Sequence, residues 1–183
     1  MGNRRVGRKR LYAVEKSGQK IDLDSGAGIS GAISSATQHR QGQEIITEIV
    51  MDLGAQSTIR GTGENKACGL SGKESDITKL TRAKYGVVTE VRAICMEAGS
   101  SDIDLILSTS HGVSQGVTVA ADRAAVIEEL DAANSLGRDN SADVDNGTIY
   151  SLYVADGDTA GAGNITSGKL IIYVHGFVIP DDL

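Results

Sequence analysis

Gly86-Val87-Val88-Thr89-Glu90-Val91-Arg92-Ala93-Ile94-Cys95-Met96-Glu97-Ala98 is followed, after Gly99-Ser100-Ser101, by Asp102-Ile103-Asp104-Leu105-Ile106-Leu107. This stretch decides the fold. Val87, Val91, Ala93 and Cys95 alternate with Glu90 and Arg92, and Ile103, Leu105 and Leu107 alternate with Asp102 and Asp104. Side chains of a strand point to opposite faces in turn, so period-two alternation marks a sheet with one wet face. The spacing predicts two strands joined as a hairpin through Gly99-Ser100-Ser101.

The same period recurs upstream. Over Glu44–Leu53, Ile45, Thr47, Ile49, Met51 and Leu53 share a face, with Glu48 and Asp52 opposite. Downstream the pattern changes. Lys169–Ile179 carries Leu170, Ile171, Ile172, Tyr173 and Val174, then Phe177, Val178 and Ile179, apolar on both faces. Such a strand is covered on both sides, by the core and by a helix of the chain or a neighbouring subunit. Thr148–Ala155 is a weaker example, joined to it through the glycine-rich 156–168 loop.

One helix is expected over about 122–136. Asp122 supplies an N-cap, Val126, Ile127, Leu130 and Ala133 recur at helical spacing, and Gly137 suits the left-handed C-terminal position. Gly26–Ser35 fits either a loop or a short helix. The expected architecture is mainly β, an antiparallel sandwich or partly open barrel with this one helix.

Composition sets further bounds. A chain of 183 residues suits one domain. Its core must rely on Ile, Val, Leu and Ala, because Phe177 and five Tyr are the only aromatic residues and Trp is absent. Twenty-three Gly with a single Pro point to many tight turns between strands. Cys68 and Cys95 form no metal or redox motif and fit free thiols in a reducing compartment. No apolar run is long enough to span a membrane and no signal peptide is expected.

Charge is uneven. The first ten residues carry Arg4, Arg5, Arg8, Lys9 and Arg10 without an acid, so the net charge of −6 leaves −11 for the rest. Residues 1–16 therefore form a basic N-terminal arm on an acidic β-rich domain, 17–183. Arms of this kind dock on acidic partners or nucleic acid. Tyr12 is the only ring near the arm, so stacking on bases is poorly provided for and nucleic acid is not the expected partner.

Motifs that could carry chemistry each fail a test. Gly26-Ala27-Gly28-Ile29-Ser30-Gly31 spells G-x-G-x-x-G, yet it follows Asp22 and Asp24, which would repel a phosphate. Asp139, Asp143, Asp145 and Asn146-Gly147 imitate a calcium loop with the glycine misplaced and Val154 where its last ligand belongs; a turn at Asn146-Gly147 explains them better. His39, His111 and His175 have no partner at metal-ligand spacing. Ser108-Thr109-Ser110-His111 sets hydroxyls beside an imidazole, but nothing local orients them as a catalytic pair. No enzyme activity, cofactor or metal is expected.

Two segments carry a family resemblance: Gly2-Asn3-Arg4-Arg5-Val6-Gly7-Arg8-Lys9-Arg10-Leu11-Tyr12, and Gln38-His39-Arg40-Gln41-Gly42-Gln43-Glu44-Ile45-Ile46-Thr47-Glu48-Ile49. With Ile77-Thr78-Lys79-Leu80 and the apolar C-terminal strand, the chain resembles small virion proteins of marine tailed phages, cyanophages included. The resemblance implies a capsid decoration or cement protein, assembled in the host cytoplasm, that binds the major capsid protein as a homo-oligomer, a trimer by preference. Arg4, Arg5, Arg8, Lys9, Arg10, Tyr12, Leu170, Ile172 and Phe177 are then the expected partner contacts. Rival readings are a head–tail connector, tail or internal protein with the arm on DNA, and a small ligand-binding β domain.

Overall fold

Two antiparallel sheets face each other across an aliphatic core in the computed structural model, which describes residues 18–55, 59–61, 63, 65–100, 103–119, 136–139, 149–157 and 163–178. The strands are β1 Gln19–Lys20, β2 Ile33–Gln41, β3 Glu44–Asp52, β4 Arg60–Gly61, β5 Lys66–Ala67, β6 Asp76–Leu80, β7 Val87–Glu97, β8 Ile103–Ser108, β9 Leu136–Asp139, β10 Tyr150–Asp156, β11 Gly163–Asn164 and β12 Lys169–Phe177. The first sheet runs β1-β2-β3-β12-β7-β9. In the second, β10 is central, with β8 on one side and β5 and β6 on the other. β4 and β11 form a small separate ribbon. The fold is thus sandwich-like, mainly β, and not a closed barrel.

β2 and β3 are joined by the two-residue turn Gly42-Gln43, where Gly42 takes a φ of 62°. A positive φ at this position suits the tight turns that match strand twist, and glycine adopts it without steric cost. Along β3 the burial follows the sequence: Ile45, Thr47, Ile49 and Met51 point inward and their neighbours are half-buried. β12 sits between β3 and β7, with Ile172 opposite both Ile49 and Ala93. Its inner face is buried, while the other face, expected to be covered as well, is half-buried at Ile171, Tyr173 and His175 and exposed at Phe177.

β7 departs from simple alternation. Gly176 pairs with Val88 while His175 pairs with Glu90, so Thr89 is an extra residue in a bulge. The bulge shifts the phase by one. Val88 becomes buried, and Val87, expected on the Val91 face, turns to the other side. A second bulge at Met96 leaves that side chain exposed.

The expected hairpin between β7 and β8 does not form. β7 has β12 on one edge and β9 on the other, while β8 pairs with β10 in the opposite sheet. The chain passes to the other sheet after Glu97, with Gly99 half-buried and Ser100 exposed, and the apolar faces of the two strands look at each other. Alternation is the same in a hairpin and in this arch, which is why sequence spacing does not separate them.

Of the expected helix, residues 122–135 lie outside the described residues. Its proposed end is different: Leu136 and Gly137 belong to β9, with Gly137 opposite Ala93. Among the described residues the only α-helical turn is α1, Arg82–Tyr85. The Gly26–Ser35 segment resolves as a turn, a 3-10 turn at Ser30–Ala32 and the start of β2. Ile49, Met51, Val91, Cys95, Ile172 and Val174 from one sheet meet Ile77, Leu105, Leu107, Leu152 and Val154 from the other. Burying each such side chain contributes about 1.5–3 kcal/mol before the entropy of ordering is charged against it.

Candidate interaction surfaces

Arg4, Arg5, Arg8, Lys9, Arg10 and Tyr12 all lie outside the described residues. The strand contacts can be placed. Leu170 and Ile172, expected to meet a partner, are buried in the chain's own core at 1% and 0% exposure. The strand turns Ile171, Tyr173, His175 and Phe177 outward instead, and Phe177 is 45% exposed. Period two explains the correction: in a run apolar on both faces, sequence does not say which face is inside.

These outward residues build cross-strand rows on the outer face of the first sheet. Ile171 lies between Val50 and Ile94. Tyr173 lies between Glu48 and Arg92, with the Arg92 guanidinium 4.9 Å from the ring centroid. The Tyr173 hydroxyl is pushed above its ordinary pKa, first by burial and then by Glu48, with Arg92 opposing. His175 lies between Ile46 and Glu90, its Nδ1 3.7 Å from Glu44 Oε1. At the far end Lys169 bridges Glu97 and Asp52. One apolar row, Val50–Ile171–Ile94, therefore lies between the Lys169 ion pairs and the polar rows of Tyr173 and His175.

A second surface is a groove of about 520 Å³ at one end of the sandwich. It is lined by Gln38, Arg40, Ile45, Arg82, Ala83, Lys84, Gly86 and Val178. Three of these side chains are cationic and none is a carboxylate. Gln38 Nε2 donates to Lys84 O and to Thr47 Oγ1, each at 3.0 Å, and so braces β2 against α1. Lys84 Nζ holds Asp24 at 3.0 Å. Nothing in the sequence marks these residues as a set, since they are scattered from position 38 to 178 and meet only through the fold.

The third candidate lies on the outer face of the second sheet. His111 Nδ1 is 2.7 Å from Ser151 Oγ, forty residues away in sequence. Tyr153 donates its hydroxyl to Ser110 O at 2.9 Å and accepts from Val113 N–H at 3.3 Å, holding the loop after β8 on the sheet. Asp76 sits opposite Tyr153 at 1% exposure, and its Oδ1 has no hydrogen-bond partner. Burial pushes its carboxyl up most, and Glu74 adds to this, while its own backbone N–H, Lys79 and His111 oppose. Ser108-Thr109-Ser110-His111 thus finds its hydroxyl partner on β10, where no local sequence signal points. Ser151 is fully buried, so its oxygen meets no substrate. The cluster holds the loop down.

The G-x-G-x-x-G glycines have a packing role. Gly26 N–H donates to Asp76 O at 2.8 Å and Gly28 N–H to Glu74 O at 2.6 Å. A Cβ on Gly28 would stand 2.6 Å from Glu74 O. These amides serve the edge of β6, so they are not available to cradle a phosphate. The calcium-like residues 140–148 lie outside the described residues, and Asp139 pairs with Val91 in β9. Among the described residues, no group of three or more His, Cys, Asp or Glu side chains could hold a metal ion. Within the same residues no helix is long and apolar enough to cross a membrane.

Comparison with protein-family models, with curated proteins and with solved structures finds no match.

Proposed function

We propose that the chain is a virion structural protein, a decoration or cement protein that binds the outer shell of a tailed phage and bridges its capsid subunits. The observation that carries this reading is the outer face of β12. Ile171 lies in a row with Val50 and Ile94, and exposed Phe177 stands at the end of the same strand. A sheet face with one apolar row beside charged and polar ones suits a lateral contact that needs both area and register. Individual contacts can be modest in a shell, because symmetry repeats them and many copies act together.

The basic arm adds to the case. Five cations in the first ten residues suit an acidic groove on the major capsid protein, or addition of a strand to one of its sheet edges. A trimer is the preferred assembly, since decoration proteins favour threefold positions. The resemblance to phage virion proteins supports the reading from the sequence side.

The decisive experiment is a binding assay on expanded capsids lacking the protein, with localisation by electron microscopy. The full chain is expected to saturate a symmetric set of outer sites. A chain without residues 1–10 is expected to stay folded and to lose capsid binding. Saturation by the truncated chain at unchanged affinity would remove the arm from the mechanism. Salt-sensitive binding of the full chain to duplex DNA, with none to capsids, would replace the shell reading by an internal or connector role.

A further inference from the structure

We infer that the outer face of the first sheet binds a second copy of this chain, across a two-fold axis that runs along β12. The inference rests on the reading of this face as a lateral contact and names the partner it takes.

The face carries its charge in order. Thr37, Glu48, Tyr173, Arg92 and Arg138 occupy one cross-strand row, from β2 through β3, β12 and β7 to β9. The row is acidic on the β3 side of Tyr173 and basic on the β7 side. Glu48 lies beside the Tyr173 hydroxyl, and the Arg92 guanidinium stands 4.9 Å from the centroid of the same ring. Glu48 and Arg92 are two strands apart, about 10 Å between backbones. Arg92 Nε is buried and has no hydrogen-bond partner. In the next row, Val50, Ile171 and Ile94 are half-buried, which leaves apolar area to remove from water.

A two-fold axis along β12, lying in the contact plane, exchanges the two sides of the face. Tyr173 of one copy then meets Tyr173 of the other, and Glu48 meets Arg92 on both sides of the axis. The same operation lays Ile171 on Ile171 and Val50 on Ile94, apolar row on apolar row. An isologous contact needs this self-complementarity. Packed sheets cross at about 30°, which carries residues three positions from the centre about one strand sideways. Lys169 therefore comes over Asp52 or Glu97 of the other copy and not over its own equivalent. The strands from β2 to β9 and the nine residues of β12 give a footprint of roughly 700 Å² per copy. That clears the total of about 1,000 Å² expected of a specific interface but stays below the usual 1,600 Å². The contact is therefore weak in solution and suited to repetition on a shell.

The test is sedimentation equilibrium of the full chain at rising concentration, without capsids. A reversible dimer is expected, weakened at least tenfold by Glu48→Arg and by Arg92→Glu, each of which sets like charges against each other. An equimolar mixture of the two variants pairs opposite charges at both contacts and is expected to recover the dimer, which no effect within one chain would produce. Should either variant depart from the parent unfolding curve, Ile171→Cys supplies the second reading. Mild oxidation is expected to link two copies at the axis, since Cys68 and Cys95 are buried. A protein that stays monomeric and unlinked, a mixture that fails to recover, or a larger oligomer indifferent to both variants would overturn the inference. A monomer whose Ile171→Cys thiol resists small reagents would overturn it by making a segment of the chain itself the occupant. A monomer whose capsid binding is weakened by Glu48→Arg would do so by making the capsid protein the occupant. Dimers that bind no capsid would remove the shell reading and leave this inference standing.

Discussion

Tyr85 OH lies 2.7 Å from Thr78 Oγ1, and the contact ties α1 to β6 inside the core. Thr78 Oγ1 in turn lies 2.9 Å from Leu23 O, a carbonyl that can only accept. The threonine proton therefore goes to Leu23 and the tyrosine proton to Thr78. Burial pushes the Tyr85 hydroxyl up to about 12, so it remains a donor at physiological pH.

The order of this chain predicts unequal mutants. Tyr85→Phe removes one hydrogen bond and leaves Thr78 with Leu23, at a cost of about 1 kcal/mol. Thr78→Val orphans both the tyrosine hydroxyl and the Leu23 carbonyl, and is expected to cost about 2–4 kcal/mol. Urea unfolding of the two variants and of the double variant checks this. Equal costs for the single variants would contradict the assigned direction.

Neighbours on β12 should behave oppositely. Ile172→Ala leaves a cavity between the sheets and is expected to cost about 2–5 kcal/mol. Ile171→Ala, on the half-buried outer row, is expected to cost about 1 kcal/mol or less in the free protein. If the shell proposal holds, Ile171→Ala also lowers capsid affinity, while Ile172→Ala acts only through folding. Paired unfolding and capsid-binding titrations separate these effects.

Glycines at backbone contacts should not tolerate a methyl group. A Cβ on Gly176 would stand on the Tyr85 carbonyl oxygen, and one on Gly28 would crowd Glu74 O. Gly28→Ala and Gly176→Ala are each expected to destabilise by about 1–3 kcal/mol, measured by thermal melting. Addition of a nicotinamide dinucleotide should leave the melting curve of the parent protein unchanged. A rise in its midpoint would reinstate the dinucleotide reading of Gly26–Gly31.

Asp76 gives a pH dependence with a definite sign. Its folded pKa is raised, so the folded state favours the protonated carboxyl. The associated stability is fully present below the unfolded value of about 3.9 and is lost as pH rises through the folded value. Asp76→Asn is therefore expected to stabilise the protein at neutral pH and to flatten the dependence across that window. Urea unfolding at acidic and neutral pH provides the measurement. Destabilisation by Asn at neutral pH would show that the carboxylate is needed charged.

Both thiols are fully buried, and burial first, then Asp156 and Asp104, push Cys68 far above the ordinary thiol range. A thiolate is required for attack on a disulfide reagent. Neither Cys68 nor Cys95 is expected to react in the folded protein at mildly alkaline pH, and both should react once it is unfolded in urea. Rapid reaction of one thiol in the native state would place it at a mobile surface.

Strand identity was legible in residues such as Ile45, Thr47, Ile49 and Met51, because period two is a local property of an extended chain. The mainly β class followed from the same property, repeated. The two-sided apolar run at Leu170–Val174 marked a strand and suggested cover on both faces, but did not say that Ile172 looks inward and Ile171 to the half-buried outer face. That choice belongs to the register with Ile49 and Ala93. The bulge at Thr89, which reverses Val87 and Val88, likewise exists only in relation to the paired strand. Whether β7 and β8 lie side by side or face each other was decided by which edges β12, β9 and β10 occupy, since alternation is identical in both. The basic groove and the His111–Ser151 pair are purely tertiary, for their members are tens of residues apart and carry no local pattern. Local periodicity follows from the geometry of one chain segment, whereas faces, partners and sites follow from which segments share an edge or a core.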